Sequence, residues 1–503
     1  MNRERRTFWL WASAALVAGL ILRLWFVVHM SVIDGDSLIY GGIAKNWLQH
    51  GVYGFTQSGD TPDSIDPTLI RLPGYPIFLA ACFRLFGMEH YRTVLYVQVA
   101  ADLATCWLAS GLAGRLFGRR AALVVLWFAA LCPFTASYVA APLTETLVLT
   151  SIALSFYGFA RWQEAGAGYN RWLWVVAAAV AWSVLLRPEQ GLLAAAILPA
   201  MLWSSLTTRE PRNRLLKSAL PVVVAALCVV LPLVPWTIRN WNTFHVFQPL
   251  VPKYANDPGE LPPVGFGRWY RTWAIEFAST EQVYWKYNGD HIAFGDLPPR
   301  AFDAGSQSHS DSDSNSNSNS NSNDLRNRTA QLLDDYNATT TGTPDIDARF
   351  ATLAAERIHA HPILYYVGLP VARLLDMTLR PRTEMMPIPL DWWRWSEYGS
   401  QTAFVAAYAA LNLAYIALGL TGFYLWKRRA WLSPNPSGSS RRAFRELAIV
   451  MAATLILRSV LLLTLDNSEP RYTLEFFPVL FVWAGALFAA PIRPPSVGEP
   501  GGR

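Results

Sequence analysis

The feature that most constrains this chain is a series of uninterrupted apolar runs, such as Ala219–Pro235 and Ala403–Trp426, too apolar on every side for a surface helix. About 20 apolar residues cross the hydrocarbon core of a bilayer. Runs of this kind occupy approximately 8–29, 93–113, 121–141, 143–160, 172–187, 190–206, 217–236, 403–426, 445–465 and 473–490. The expected fold class is therefore an all-α polytopic membrane protein with about ten transmembrane helices. Composition agrees, since only 16% of the residues are charged, against roughly 25% in soluble domains. The 22 Trp, 20 Tyr and 25 Phe residues suit rings that sit at headgroup level.

Charge distribution sets an orientation. Basic residues cluster in alternate short loops: Arg3, Arg5 and Arg6; Arg115, Arg119 and Arg120; Arg161 and Arg171; Arg209, Arg212, Arg214 and Lys217; Lys427 through Arg445. By the positive-inside rule these loops and both termini are cytoplasmic, and the first span reads as retained rather than cleaved. A nucleic-acid partner is excluded, because that would need a solvent-exposed basic face. Cys82, Cys106, Cys132 and Cys228 all lie in or beside apolar runs and read as small core residues rather than a disulfide framework.

Three domains are expected: 1–236 with seven spans and a first outer loop over 30–92, an outer loop over 237–402, and 403–503 with three spans and a cytoplasmic tail. In the first loop Ser37–Gln49 carries apolar residues at helical spacing, and Leu72–Phe86 is short and proline-interrupted, which suits an interfacial or re-entrant segment. In the second, Ser306–Asn323 is an Asn/Ser/Asp tract with almost no apolar residue and is expected to be disordered. The sequence on either side of it, rich in aromatics, suits a small ordered cap. Arg187-Pro188-Glu189, between two short apolar runs, can lie at membrane depth.

Acidic side chains near a membrane are costly and mark functional positions. Asp34 and Asp36 follow the first span, and Glu145 opens the fourth. Two carboxylates meeting at an outward cleft can act as general base and orienting partner for a nucleophile. The plainer alternatives are that Asp36 caps a helix and that Glu145 answers a helix dipole. On the same side stand Arg71, Arg239 and Arg471, able to grip a phosphate in bidentate fashion or simply to snorkel at span ends. Tyr40, Tyr75 and Tyr472 accompany them. No metal-ligand spacing, Ser–His–Asp order or phosphate-cradling glycine loop is present.

The segments Asp36–Tyr40, Ile43–Leu48, Gly51–Gly54, Arg71-Leu72-Pro73-Gly74-Tyr75-Pro76, Thr144-Glu145, Ile238-Arg239-Asn240 and Glu469-Pro470-Arg471-Tyr472 resemble, in order and spacing, the GT-C glycosyltransferases. The likeness is greatest to the protein O-mannosyltransferase and lipid A aminoarabinose transferase families, over about 1–240 and 403–490. This resemblance implies an inverting transfer of sugar from a polyprenyl-phosphate donor to a protein, lipid or glycan acceptor at the outer face of a bacterial inner membrane. It implies that Asp36 is the essential acid, with Asp34 and Glu145 as further catalytic candidates. Arg471, Arg71 and Arg239 would bind the donor phosphate, and the three tyrosines would line the substrate. Ser37 stands where the family often has a second acid beside Asp36, so a divalent cation is the one cofactor left open. A polyprenyl-lipid or solute transporter is the competing reading; such proteins often carry internal repeats, and none is visible here.

Overall fold

A computed structural model of the protein describes residues 3–56, 64–208, 214–302, 320–432 and 438–489. Apart from a two-stranded antiparallel ribbon, β1 (Gly54–Thr56) against β2 (Ile65–Pro67) with Gly54 opposite Pro67, the regular structure of the described residues is all helical. The first half comprises α1 (Arg3–His29), α2 (Asp36–His50), α3 (Gly74–Phe86), α4 (Tyr91–Phe117), α5 (Arg119–Ala130), α6 (Pro133–Ser137), α7 (Glu145–Glu164), α8 (Arg171–Leu186), α9 (Gly191–Thr208), α10 (Arg214–Val230) and α11 (Leu233–Phe244). The second half comprises α12 (Val264–Arg271), the one-turn α13 (Phe277–Ser279), α14 (Ser320–Asn337), α15 (Pro344–Ala360), α16 (Leu369–Leu379), α17 (Trp395–Leu432), α18 (Gly438–Leu462) and α19 (Phe477–Ala484).

All ten expected spans contain helix, but they do not all meet the length and hydropathy of a crossing segment. Among the described residues six helices do so: Arg3–His29, Tyr91–Phe117, Pro188–Thr207, Leu216–Phe244, Trp395–Arg428 and Pro470–Phe488. The pair Arg119–Ala130 and Pro133–Ala140, bent by 45° where Pro133 withdraws an amide from the ladder, is a broken span or a re-entrant loop, and counts as a seventh crossing only if taken as one span. The helix Glu145–Glu164 falls short because it runs through the bundle interior: Ser151 and Ser155 are buried, and each hydroxyl donates to its own helix one turn back, at 2.8 and 2.7 Å. At the lipid side of the bundle α1 exposes Leu10, Trp11, Val17 and Ile21, as a membrane helix must.

Among the described residues, the ends of α4, α7 and α9 and the start of α18, which flank basic segments assigned to one side, lie together. Arg115 and Arg161 both reach Glu164, Gln163 donates to Glu446, Arg442 donates to the Thr207 carbonyl, and Trp426 packs edge-on against Phe117 and Phe444. The main core joins these helices through side chains such as Val125, Phe134, Phe156, Leu193 and Phe481. A second core, with Phe266, Trp269, Tyr270, Trp273 and Phe350 at its centre, lies between α12 and α15. Most of the Ser306–Asn323 tract lies outside the described residues; its last residues, expected to be disordered, instead open α14.

At the other end α2 packs on α3, and α3 packs on α4 and α8. The expected helix over Ser37–Gln49 is α2, stopped by Gly51 in the left-handed region, where its amide donates to the Trp47 carbonyl at 3.1 Å. The Leu72–Phe86 segment becomes α3, which buries Tyr75, Leu79 and Phe83. Its first residue touches the end of α8 so closely that a Cβ on Gly74 would lie 2.5 Å from the Leu185 carbonyl. Gly74→Ala is therefore expected to push α3 off α8 and to lower thermal stability by the roughly 1–3 kcal/mol typical of overpacking. A melting temperature in detergent equal to that of the unaltered chain would contradict this.

Candidate active site

Around the start of α2 lies a cluster of buried and half-buried charges. Asp36 is the first residue of α2, and the loop before it is pinned by the Val32 amide donating to the Ala140 carbonyl at 3.1 Å. Two guanidiniums meet its two carboxylate oxygens: Arg71 Nη2 at 2.7 Å from Oδ1 and Arg471 Nη1 at 2.9 Å from Oδ2. These three residues come from the start of α2, the segment before α3 and the first turn of the crossing segment Pro470–Phe488, so only tertiary structure joins them.

Arg71 is set by a small lattice. Tyr53 Oη donates to its carbonyl at 3.0 Å, and its guanidinium lies 5.7 Å from the Tyr40 ring centroid. Arg239 underlies this loop rather than entering the site. It donates to the Thr68 and Tyr53 carbonyls, both at 2.7 Å, and lies against the rings of Tyr53, Trp236 and Phe244. Asp34 also stands apart: it is exposed, its carbonyl accepts from the Ser37 amide, and no side-chain partner is seen for it among the described residues. Sequence adjacency to Asp36 suggested a shared role, but the turn at Gly35, with φ +46°, sends the two apart.

Glu145 opens α7, and its side chain is only 3% exposed. It accepts from Arg187 Nη1 at 3.0 Å and lies 3.9 Å from Arg471 Nε, so it is linked to Asp36 through Arg471. Arg471 Nε also pairs with Glu469, which in turn accepts from Tyr472 Oη at 3.1 Å and Asn467 Nδ2 at 2.9 Å. Tyr472 lies under both Arg187 and Arg471, at 5.4 and 5.7 Å from their guanidinium carbons. Tyr75 sits one layer deeper; its ring meets Tyr40 edge-on at 5.1 Å and its hydroxyl donates to Gln98 at 2.7 Å. Of the expected residues, Asp36, Glu145, Arg71, Arg471, Tyr40 and Tyr472 converge, Tyr75 supports them from below, and Asp34 and Arg239 do not join.

The network continues past what the sequence singled out. Arg187 Nε pairs with Glu189 at 2.8 Å, Glu189 with Arg458 at 3.4 Å, and Arg458 with Glu475 at 2.9 Å, where Gln190 also donates. In the sequence, Arg187-Pro188-Glu189 shows only as a charged break between short apolar runs. Glu469 shows only as part of the Glu469-Pro470-Arg471-Tyr472 segment, and Arg458 and Glu475 give no signal, because both lie in stretches that read as span. Buried charges survive only when paired and hydrogen-bonded, and alternation of acids and guanidiniums achieves that here.

Among the described residues no three His, Cys, Asp or Glu side chains are grouped to hold a metal ion, and the carboxylates just described each face a guanidinium. Burial raises the Asp36 carboxyl, but Arg471 and Arg71 outweigh it and hold Asp36 at about 2, below its ordinary 3.8. The Tyr40 phenol, pushed up to about 12 by burial although Arg71 opposes this, stays protonated as a donor. A depressed carboxyl stabilises the fold above its unfolded pKa and loses that contribution as pH falls through the folded one. The Asp36 clamp is thus expected to persist through the ordinary carboxylate range near pH 4 and fade only toward about 2. Infrared titration of the carboxyl band, compared with Asp36→Asn, checks this; an Asp36 band protonating in the ordinary range would contradict it.

Residues 67–236 match the dolichyl-phosphate-mannose-protein mannosyltransferase family. No curated protein matches the chain. Among solved structures it is similar to the oligosaccharyltransferase of Archaeoglobus fulgidus, solved with a tethered acceptor peptide, at 13% identity and a TM-score of 0.48, covering 95% of this chain and 49% of that one. It is also similar to ArnT from Cupriavidus metallidurans. The apo form gives 14% identity, a TM-score of 0.33 and coverage of 93% and 78%; the form bound to undecaprenyl phosphate gives 12%, 0.35, 95% and 77%. The chain spans about half the length of the oligosaccharyltransferase. By this match, residues 67–236 of this helical chain, with Arg71 and Glu145 among them, resemble the dolichyl-phosphate-mannose-protein mannosyltransferases.

Proposed function

We propose that the chain is a membrane-embedded glycosyltransferase that moves a sugar from a polyprenyl-phosphate donor to a hydroxyl or amine of a protein, lipid or glycan acceptor. The site would face the periplasm from a bacterial inner membrane, with both termini cytoplasmic. The observation that carries the reading is the clamp of Asp36 between Arg71 and Arg471, with Glu145 behind Arg471. The match to a family named for its dolichyl-phosphate-mannose donor supports it.

The chemistry follows from the residues. A nucleophile approaches the anomeric carbon from the side opposite the phosphate, a new bond forms there, and the bond from that carbon to the phosphate oxygen breaks. The electron pair leaves with the lipid phosphate, and the nucleophile's proton passes to Asp36. A carboxylate at about 2 is a weak base while both guanidiniums hold it. A donor phosphate that draws Arg71 and Arg471 toward itself loosens that hold, so basicity rises as the donor binds. The same guanidiniums then face the charge that develops on the leaving phosphate, where preorganised donors are most effective. Glu145 keeps Arg471 and Arg187 in place.

The test is reconstitution in sealed vesicles with a radiolabelled polyprenyl-phosphate sugar. Label appearing in acceptor material, with release of the lipid phosphate, supports transfer. Movement of intact donor between leaflets without any transfer would sink it in favour of a transporter.

A further inference from the structure

A helix in the stretch read as an outer loop and cap has the wrong surface for water. From Pro362 to Leu379 the chain is continuously helical, with a π-turn at Leu364–Gly368 before α16. Every fourth residue along one side is apolar and exposed: Ile363 79%, Val367 58%, Val371 42%, Leu375 51% and Leu379 41%. The opposite side, Tyr365, Leu369, Arg373 and Met377, is buried. Both charged residues of the helix avoid the apolar stripe. Arg373 donates to the Arg271 and Ala274 carbonyls, and Asp376 accepts from Ser468 Oγ at 2.9 Å. An exposed stripe of this length on a water-facing surface would be an aggregation liability.

The depth of the helix is set by a contact. Asn412 Nδ2 donates to the Thr378 and Arg380 carbonyls at 2.9 and 3.1 Å. Asn412 lies inside the apolar run of α17, part of the crossing segment Trp395–Arg428. At 1.5 Å per residue it stands about 24 Å from Arg428, less than the roughly 30 Å thickness of the hydrocarbon core. The C-terminal end of the helix therefore sits beside a residue at membrane depth. Exposed Trp393 and Trp395 follow, and indole rings favour the headgroup layer.

We propose that Pro362–Leu379 is a lipid-embedded anchor whose apolar stripe lies in the acyl region of the leaflet at the site end of the bundle. Its buried face holds the active segment. Thr473 Oγ1 donates to the Met377 carbonyl at 2.8 Å, Ser468 is held by Asp376, and Arg382, just beyond the helix, donates to the Pro470 carbonyl at 2.9 Å. Glu469 and Arg471 lie between those attachment points, so the bilayer fixes the depth at which Arg471 meets Asp36.

The test uses the full chain in lipid nanodiscs. Single cysteines at Val367, Val371 and Leu375, in a background with the four native cysteines replaced, carry a nitroxide label. Oxygen is expected to relax these labels severalfold more than a water-soluble nickel chelate does, and the order should reverse at exposed Glu356 on α15. Preferential relaxation by the nickel chelate overturns the proposal, and so does immobilisation with access to neither reagent, which would mean a second copy or a protein partner covers the stripe. A photoactivatable phospholipid gives an answer on the unaltered chain. Crosslinks on the 362–379 peptide are expected, and their absence while α1 is labelled also overturns it.

Discussion

Asp36→Asn is expected to lower transfer by about 10²–10⁴-fold, the usual worth of a general base, while leaving the chain folded. The amide keeps one oxygen for a guanidinium but can take no proton, and its nitrogen turns a donor toward the second arginine. The site does not fall apart with it. Arg71 still donates to the Ile70 carbonyl, and Arg471 still pairs with Glu469 and lies 3.9 Å from Glu145. Initial rates with a radiolabelled polyprenyl-phosphate sugar, alongside melting in detergent, separate catalysis from folding. Asp34→Asn is the matched control, since its side chain is exposed beside the same turn; it should transfer at nearly the unaltered rate. Transfer by Asp36→Asn within a few-fold of normal would remove Asp36 from the chemistry.

The largest stability effect is expected away from the site. Arg23 of α1 and Asp102 of α4 form an ion pair with both side chains essentially inaccessible. Asp102 Oδ2 accepts from Arg23 Nε at 2.7 Å, and Arg23 Nη1 donates to the Gly19 and Ala130 carbonyls at 2.9 and 2.7 Å, so one guanidinium ties α1, α4 and α5. Removing a single partner strands a buried charge. Asp102→Ala is expected to cost about 3–5 kcal/mol, whereas replacing both partners by apolar residues of similar size can be neutral or better. The comparison is apparent melting temperature in detergent for Asp102→Ala and for the double variant Arg23→Met with Asp102→Leu. A large loss in the first, mostly recovered in the second, is the expected pattern. An unchanged melting temperature for Asp102→Ala would show that water or a neighbouring group compensates the stranded guanidinium.

Much of the site was legible in order along the chain and little of it in geometry. Asp36, Glu145, Arg71 and Arg471 stood out because charge at the ends of apolar runs is costly and so is rarely idle. The same rule picked Asp34 and Arg239, since it cannot see which way a turn points a side chain or whether a guanidinium is already taken up by backbone carbonyls. It passes over Arg458 and Glu475 because, within an otherwise apolar stretch, one charge reads as part of the span.

What the amino-acid order alone determined is membrane residence, the helical class, the alternation of basic segments along the chain and the short list of charged candidates. These follow from hydrophobic run length and charge placement, which are local. Tertiary structure decided that Asp36 sits between two arginines rather than capping a helix, and that Arg187 and Arg458 extend its network. It also decided that the 362–379 stretch turns an apolar stripe outward. The physical reason is that burial and pairing belong to neighbours far apart in the chain: Asp36 and Arg471 are 435 residues apart, and no local pattern encodes their meeting.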